Sequence, residues 1–130
     1  MRITQDFGHA TYVIRAYDAG MVVVNQTDFH QSLVVMPDHL EPDWQPKDIE
    51  ELTVEHLEPI VALRPELVIL GTGATLRFPA PHVRGYFLQH GIGIEFMDTP
   101  AACRTYNILM SEGRSVACAL IIESPTGSRC

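Results

Sequence analysis

Basic residues are scarce in this 130-residue sequence. Lys47 is the only lysine, and eight arginines complete the cationic set against sixteen Asp and Glu, for a formal net charge of −7. Nucleic-acid affinity comes largely from neutralised phosphates, so an acidic chain without a basic cluster is not expected to bind nucleic acid. Anionic membrane surfaces are disfavoured for the same reason. Long apolar runs are missing too. The longest are 21–24, 33–36, 67–70 and 116–122, far short of the ~18 residues of a membrane span, so no direct membrane insertion is expected. The start, Met1-Arg2-Ile3-Thr4-Gln5-Asp6, has no apolar h-region and no presequence character. It reads as a cytoplasmic chain, either a bacterial-type protein or a processed form, the acidic start favouring the former. Cysteines number three, Cys103, Cys118 and Cys130, without a C-x-x-C. An odd, sparse count fits a reducing compartment. Cys118 lies in an apolar run and reads as a buried, inert thiol.

Catalytic signatures are absent as well. There is no Gly-x-Ser-x-Gly elbow. The six histidines, His9, His30, His39, His56, His82 and His90, include no i,i+4 pair and no His-Glu-x-x-His frame, so no metal site is expected. Glu50 and Glu51 read as a solvated face. Glu95 lies inside a strand-like stretch; if buried it needs a partner such as Arg104 or Arg114, or else it is an acid with a raised pKa.

What is present is a chain that can fold. Apolar residues make up 46% and charged residues 19%, a globular balance. One domain of this length buries about two thirds of its unfolded surface. The pattern predicts a single domain over 1–123 and a flexible polar tail over 124–130. Strands are expected at 12–17, 21–24 and 32–36, joined by short turns that favour antiparallel pairing. A proline-rich crossover, 37–46, carries Trp44. Helical periodicity follows at 53–63, with Pro59 as a kink or a limit. A buried strand at 67–70, a helix at 81–90, a strand at 94–97, a helix at 100–111 and a strand at 115–122 complete the chain. Thr99 suits the cap and Pro100 the first turn of the last helix, with Gly113 just beyond its end. The order β-β-β-α-β-α-β-α-β describes an α/β (α+β) domain. Its expected architecture is one mixed sheet with helices packed on it and the hairpin strands at one side.

Two loops deserve a chemical reading. Gly71-Thr72-Gly73 follows the buried strand, where open α/β sheets form binding crevices. Leu76 occupies the place of the third dinucleotide glycine, no helix follows directly and no phosphate-loop lysine is present. The alternatives are a tight turn or a small-molecule or anion crevice. Asp98-Thr99 ends the next strand at the same sheet edge, where a helix N-terminus favours an anion and Arg77 can reach it. The alternative is that both residues simply cap the helix.

The C-terminal third carries a combination of motifs: Glu95-Phe96-Met97-Asp98-Thr99, then Ala102, Thr105-Tyr106-Asn107-x-Leu109 and Glu112-Gly113-Arg114-x-Val116. Upstream, Leu67-Val68-Ile69-Leu70 leads into Gly71-Thr72-Gly73. Together they resemble the Mth-domain family, over about residues 7–122. That family holds small bacterial and archaeal proteins of unknown function, the mitochondrial complex I assembly factor 3 and the adipogenesis-associated Mth-domain-containing protein. The resemblance implies a β/α domain with a mixed sheet and no established catalytic set, cofactor or metal. It points to Gly71, Thr72, Gly73, Asp98, Thr99, Thr105, Tyr106, Asn107, Glu112 and Arg114 as signature positions. Tyr106 fits the apolar face of its helix, and Glu112 and Arg114 fit a turn brace, whereas Asn107 and Arg104 have no evident core role.

Two functions follow as expectations. The first is a non-catalytic, assembly-factor-like interaction protein, with respiratory-complex subunits as partners by resemblance. It calls for an exposed apolar patch, with Trp44 as an interface anchor or, alternatively, as a tack holding its loop to the core. The second is a small-molecule or anion binder, or an enzyme of unrecognised type. It would use the crevice between the Gly71-Thr72-Gly73 loop and Thr99, with Arg77, Asp98, Asn107 and Arg114 as further candidate ligands.

Overall fold

The computed structural model describes residues 11–123. The expected polar tail with Cys130, and the reading of the first six residues, lie outside them.

Three short strands open the fold: β1 (Ile14–Asp18), β2 (Met21–Val24) and β3 (Thr27–Phe29), antiparallel in that order. Two-residue turns connect them, Ala19-Gly20 with Gly20 at φ 77° and Asn25-Gln26 with Asn25 at φ 54°. Between Ile14 and Ala16 the register slips by one, so Arg15 is an extra residue on β1. This bulge lets Ile14 and Tyr17, three apart, both pack on one core cluster.

The chain then enters a second sheet through β4 (Leu33–Met36) and β5 (His39–Glu41), an antiparallel hairpin turning at Pro37-Asp38. A short 3-10 turn, Ile49–Glu51, leads to α1 (Val54–Ala62). Next come β6 (Leu67–Gly71), α2 (Pro81–Gln89), β7 (Gly93–Met97), α3 (Thr99–Ser111) and β8 (Val116–Leu120). The five-stranded sheet has the order β5-β4-β8-β6-β7. β8 runs parallel to β6 and antiparallel to β4, so the sheet is mixed.

The mixed sheet, the three helices and the α+β class agree with the sequence pattern. Two differences stand out. The hairpin strands β1–β3 form their own sheet, and the three-residue strands β3 and β5 were not expected. Both carry polar residues, Asp28 and His39, that mask any apolar run; the turn residues Asn25 and Pro37 were the available signals.

Period-two alternation puts the central strands β4, β6 and β8 in two cores. Val34, Met36, Val68, Leu70, Ala117 and Ala119 face α1, α2 and Trp44. Leu33, Val35, Ile69, Val116, Cys118 and Leu120 face α3 and the small sheet. The sheet is therefore the middle of three layers. α1 runs through Pro59 without ending there. Its first turn is closed by the Thr53 N–H donating to His56 Nδ1 at 3.1 Å. On α3 the cap is Asp98, not Thr99: Asp98 Oδ1 accepts from Ala101 N–H at 2.8 Å.

Candidate functional site

Gly71, Thr72, Gly73, Asp98, Thr99 and Arg77 do come together at one sheet edge. Their polar groups are turned on each other. The Thr99 hydroxyl accepts from Gly73 N–H at 2.9 Å and donates to the Ile121 carbonyl at 3.0 Å. The Thr99 N–H donates to Gly73 O and the Thr72 N–H to Met97 O, each at 2.8 Å. The Thr72 hydroxyl donates to Thr75 O and accepts from Arg77 N–H, folding the loop back. Thr72 and Thr99 are fully buried. A Cβ on Gly71 would sit 3.0 Å from Thr99 Oγ1 and from Leu120 Cδ2, so glycine here permits close packing of strand on helix.

An anion does lie at this loop, and it belongs to the chain. Glu123 Oε1 accepts from Ala74 N–H at 3.3 Å, and its carboxylate would lie 2.7 Å from a Cβ on Gly73. Arg77 is held between Glu50, at 2.9 Å, and Glu123, at 3.6 Å. It therefore does not reach toward the helix start as an unpaired cation, and an external anion would have to displace Glu123.

Asn107 and Arg114 lie elsewhere. The Asn107 amide pairs with both backbone groups of Ile14: Oδ1 accepts from Ile14 N–H at 3.0 Å and Nδ2 donates to Ile14 O at 2.7 Å. The neighbouring Tyr106 hydroxyl donates to Tyr12 O at 2.7 Å. These two residues thus clamp β1 to α3. Arg114 precedes β8, at the opposite end of the sheet from the glycine loop. Its Nε donates to Glu66 Oε2 at 2.8 Å, and Glu66 Oε1 accepts from Ser115 N–H. The guanidinium holds the Glu66 carboxyl below its ordinary range, with the Ser115 N–H assisting. Glu95 is exposed and pairs with neither Arg104 nor Arg114 among the described residues.

Trp44 is 6% exposed and belongs to the core. Its indole N–H donates to His56 O at 2.9 Å, and its backbone N–H to Ser32 O. It is the tack of its loop, not a protruding anchor. Yet one side of the indole lines an open groove of about 470 Å³ between β5 and α1. The groove floor is Val34, Trp44, Pro59, Ile60 and Leu63; its rim carries Glu41, Asp43 and Glu55 with His39, 3.4 Å from Glu41, and His56, and no Lys or Arg among the described residues. Glu55 is held below the usual carboxylate range by its own backbone N–H and by Thr53, so the rim is negative at neutral pH. Proline lacks an N–H, so Pro59 withholds the helical partner of the Glu55 carbonyl beside this groove. The sequence showed Trp44 and Pro59 but not that the chain brings them together.

At the far edge of the sheet, Phe78 is 69% exposed and meets Phe96 of β7 edge to face at 5.9 Å. Arg84 lies over the Phe96 ring at 4.8 Å, and Leu76 is also exposed. This is an apolar patch without a partner among the described residues.

Burial pushes the Cys103 thiol up to about 12 and the Cys118 thiol well above its ordinary value, so neither is a thiolate at neutral pH. Among the described residues, no three His, Cys, Asp or Glu side chains gather into a metal-binding group. No described helix is long and apolar enough to cross a membrane.

Known proteins resemble this geometry along most of the chain. The family described as "Protein of unknown function (DUF498/DUF598)" matches residues 14–121. A Danio rerio protein named NADH dehydrogenase (ubiquinone) 1 alpha subcomplex assembly factor 3 is 36% identical over 130 residues, 98% of this chain and 73% of its own length. A Francisella tularensis protein named 13 kDa major membrane protein is 28% identical over 123 residues, 93% of this chain and 99% of its own. The NMR structure of a Xanthomonas campestris protein superposes with a TM-score of 0.85 at 39% identity, covering 96% of this chain and 95% of that one. That of a Bordetella pertussis protein, described as a Mth938-like domain, has a TM-score of 0.78 at 29% identity, covering 99% and 98%. A family match over nearly all the described residues, together with a relative shared along most of its length, places the chain: it belongs to the DUF498/DUF598 family and has the Mth938-like fold.

Proposed function

We propose that this protein is a non-catalytic binding module that assists assembly of a respiratory complex by holding a segment of an unassembled subunit. The observation that carries the reading is the groove between β5 and α1. It combines an apolar floor, an uncapped helix carbonyl and an edge strand, as a site for an extended or helical segment does. Its acidic rim selects a segment bearing basic residues beside its apolar ones. The name of the Danio rerio relative supplies the assembly context. Free, buried Cys103 and Cys118 suit a reducing cytoplasmic setting, and the partner, not this chain, is the membrane component.

The test is recovery of partners by tagged protein from gently solubilised source cells, read by mass spectrometry. The control is the double variant Ala62→Arg, Glu41→Lys, at two exposed groove positions that leave the core intact. Respiratory-complex subunits recovered by the native chain and lost with the variant, at equal melting temperature, are the expected result. Recovery unchanged by the variant removes the groove from the reading, and no respiratory subunit in either sample removes the assembly role.

A further inference from the structure

On the other side of the large sheet, a cleft of about 310 Å³ opens between β1 and α3. Its lining includes Arg15, Tyr17, Pro100, Cys103, Arg104 and Asn107. This composition runs against the rest of the molecule. The chain carries a net charge of −7, yet the described lining holds two arginines and no carboxylate. Among the described residues, Arg77 and Arg114 each take a carboxylate partner and Arg84 lies over the Phe96 ring, whereas Arg15, Arg64 and Arg104 take no carboxylate, and only Arg15 and Arg104 share a cleft.

Three features converge on that pair. Arg15 is the extra residue of the β1 bulge, a distortion that re-aims a side chain out of the regular alternation. The bulge is fixed from α3, because Asn107 grips both backbone groups of Ile14. Arg104 stands one turn before Asn107 on the same helix, so one element positions both cations. Nearby donors are available. Desolvation raises the Tyr17 phenol, with surrounding acidic groups, Glu123, Asp18 and Asp98, adding to the effect of Cys103, so it is a protonated donor at neutral pH. The Asn107 Nδ2 has a second hydrogen beyond the one spent on Ile14. Pro100 and the Ala16 methyl group supply a small apolar wall.

We propose that this cleft is a binding site for a small anionic molecule, its phosphate or carboxylate group held between the Arg15 and Arg104 guanidinium groups and its body against Pro100 and Ala16. Forked guanidinium donors match either oxyanion. The site is independent of the groove on the opposite layer.

The test is an amide NMR titration of the whole chain at constant ionic strength, with phenyl phosphate in one arm, benzoate in a second and sodium chloride in a third. The expected result is a saturable shift at residues 14–17 and 103–107 with one or both aromatic anions and none with chloride. The two arms then tell a phosphate ligand from a carboxylate one. Arg15→Gln and Arg104→Gln, both at exposed positions with unchanged spectra elsewhere, each weaken binding by about tenfold or more. Shifts that never saturate, that chloride reproduces, or that survive both substitutions overturn the proposal.

Discussion

Asn107 illustrates how a single side chain resists reading from sequence. On a helical wheel it points away from the apolar arc, as a ligand-binding residue does. In the folded chain it serves as a length of strand, offering one acceptor and one donor to Ile14 on the open edge of β1, away from β2. Removing it leaves two half-buried backbone groups unmatched, so Asn107→Ala should destabilise by about 1–3 kcal/mol, read by urea denaturation. Asn107→Asp should cost more than half as much, because it keeps the acceptor and loses the donor. Trp44 is the converse case. Its chemistry as an aromatic in a proline-rich loop was plain, but its burial depends on His56 supplying a carbonyl twelve residues later. A Trp44→Ala variant is therefore a core-cavity mutant costing about 3–5 kcal/mol and tells little about partners. Residue types were visible in the sequence; the side chains that answer them across the fold were not.

Elements were legible where local signals are strong. The three helices appear within a residue or two of their expected positions because periodicity, caps and Gly91 and Gly113 all agree on them. β3 and β5 were hidden because three residues carry too little pattern. The Gly71-Thr72-Gly73 loop and Asp98-Thr99 meet at one edge, as the order of strand and crossover implies, but topology does not say that Glu123 follows them there and takes Arg77. The joint between β6 and β8 offers a test at this scale. Glu66 bridges the start of both strands through Arg114 and Ser115, and its pKa is depressed in the folded chain. A depressed carboxylate contributes stability above its unfolded pKa and loses it as pH falls through the folded one. The melting temperature of the native chain should therefore fall more steeply than that of Glu66→Gln as pH drops from above 4.5 into the acid range. The exposure of the pair keeps the difference small, and it should shrink further in high salt.

For the whole molecule, the large sheet has two unlike edges. β5 borders the acidic groove, while β7 borders the patch of Leu76, Phe78 and Phe96 and carries exposed Glu95 at its centre. Two copies joining β7 to β7 would bring like charges together, which guards this edge against self-pairing. Phe78→Ser should accordingly lower the fluorescence of an apolar dye on the native chain while changing stability by less than about 1.5 kcal/mol, checked by dye titration beside a thermal melt. The sheet's interior has a different consequence. β8 lies between β4 and β6, so Leu33 finds its neighbour only at Leu120. A chain leaving the ribosome makes the flanking strands first and the central one late. Until residues 116–120 emerge, β4 and β6 have no common neighbour, and the hairpin layer and α3 have no complete surface to close on. Closure of the large sheet must therefore wait for residues 116–120, with long loop closure setting its pace, and a stalled nascent chain lacking β8 would expose both half-sheets to chaperones.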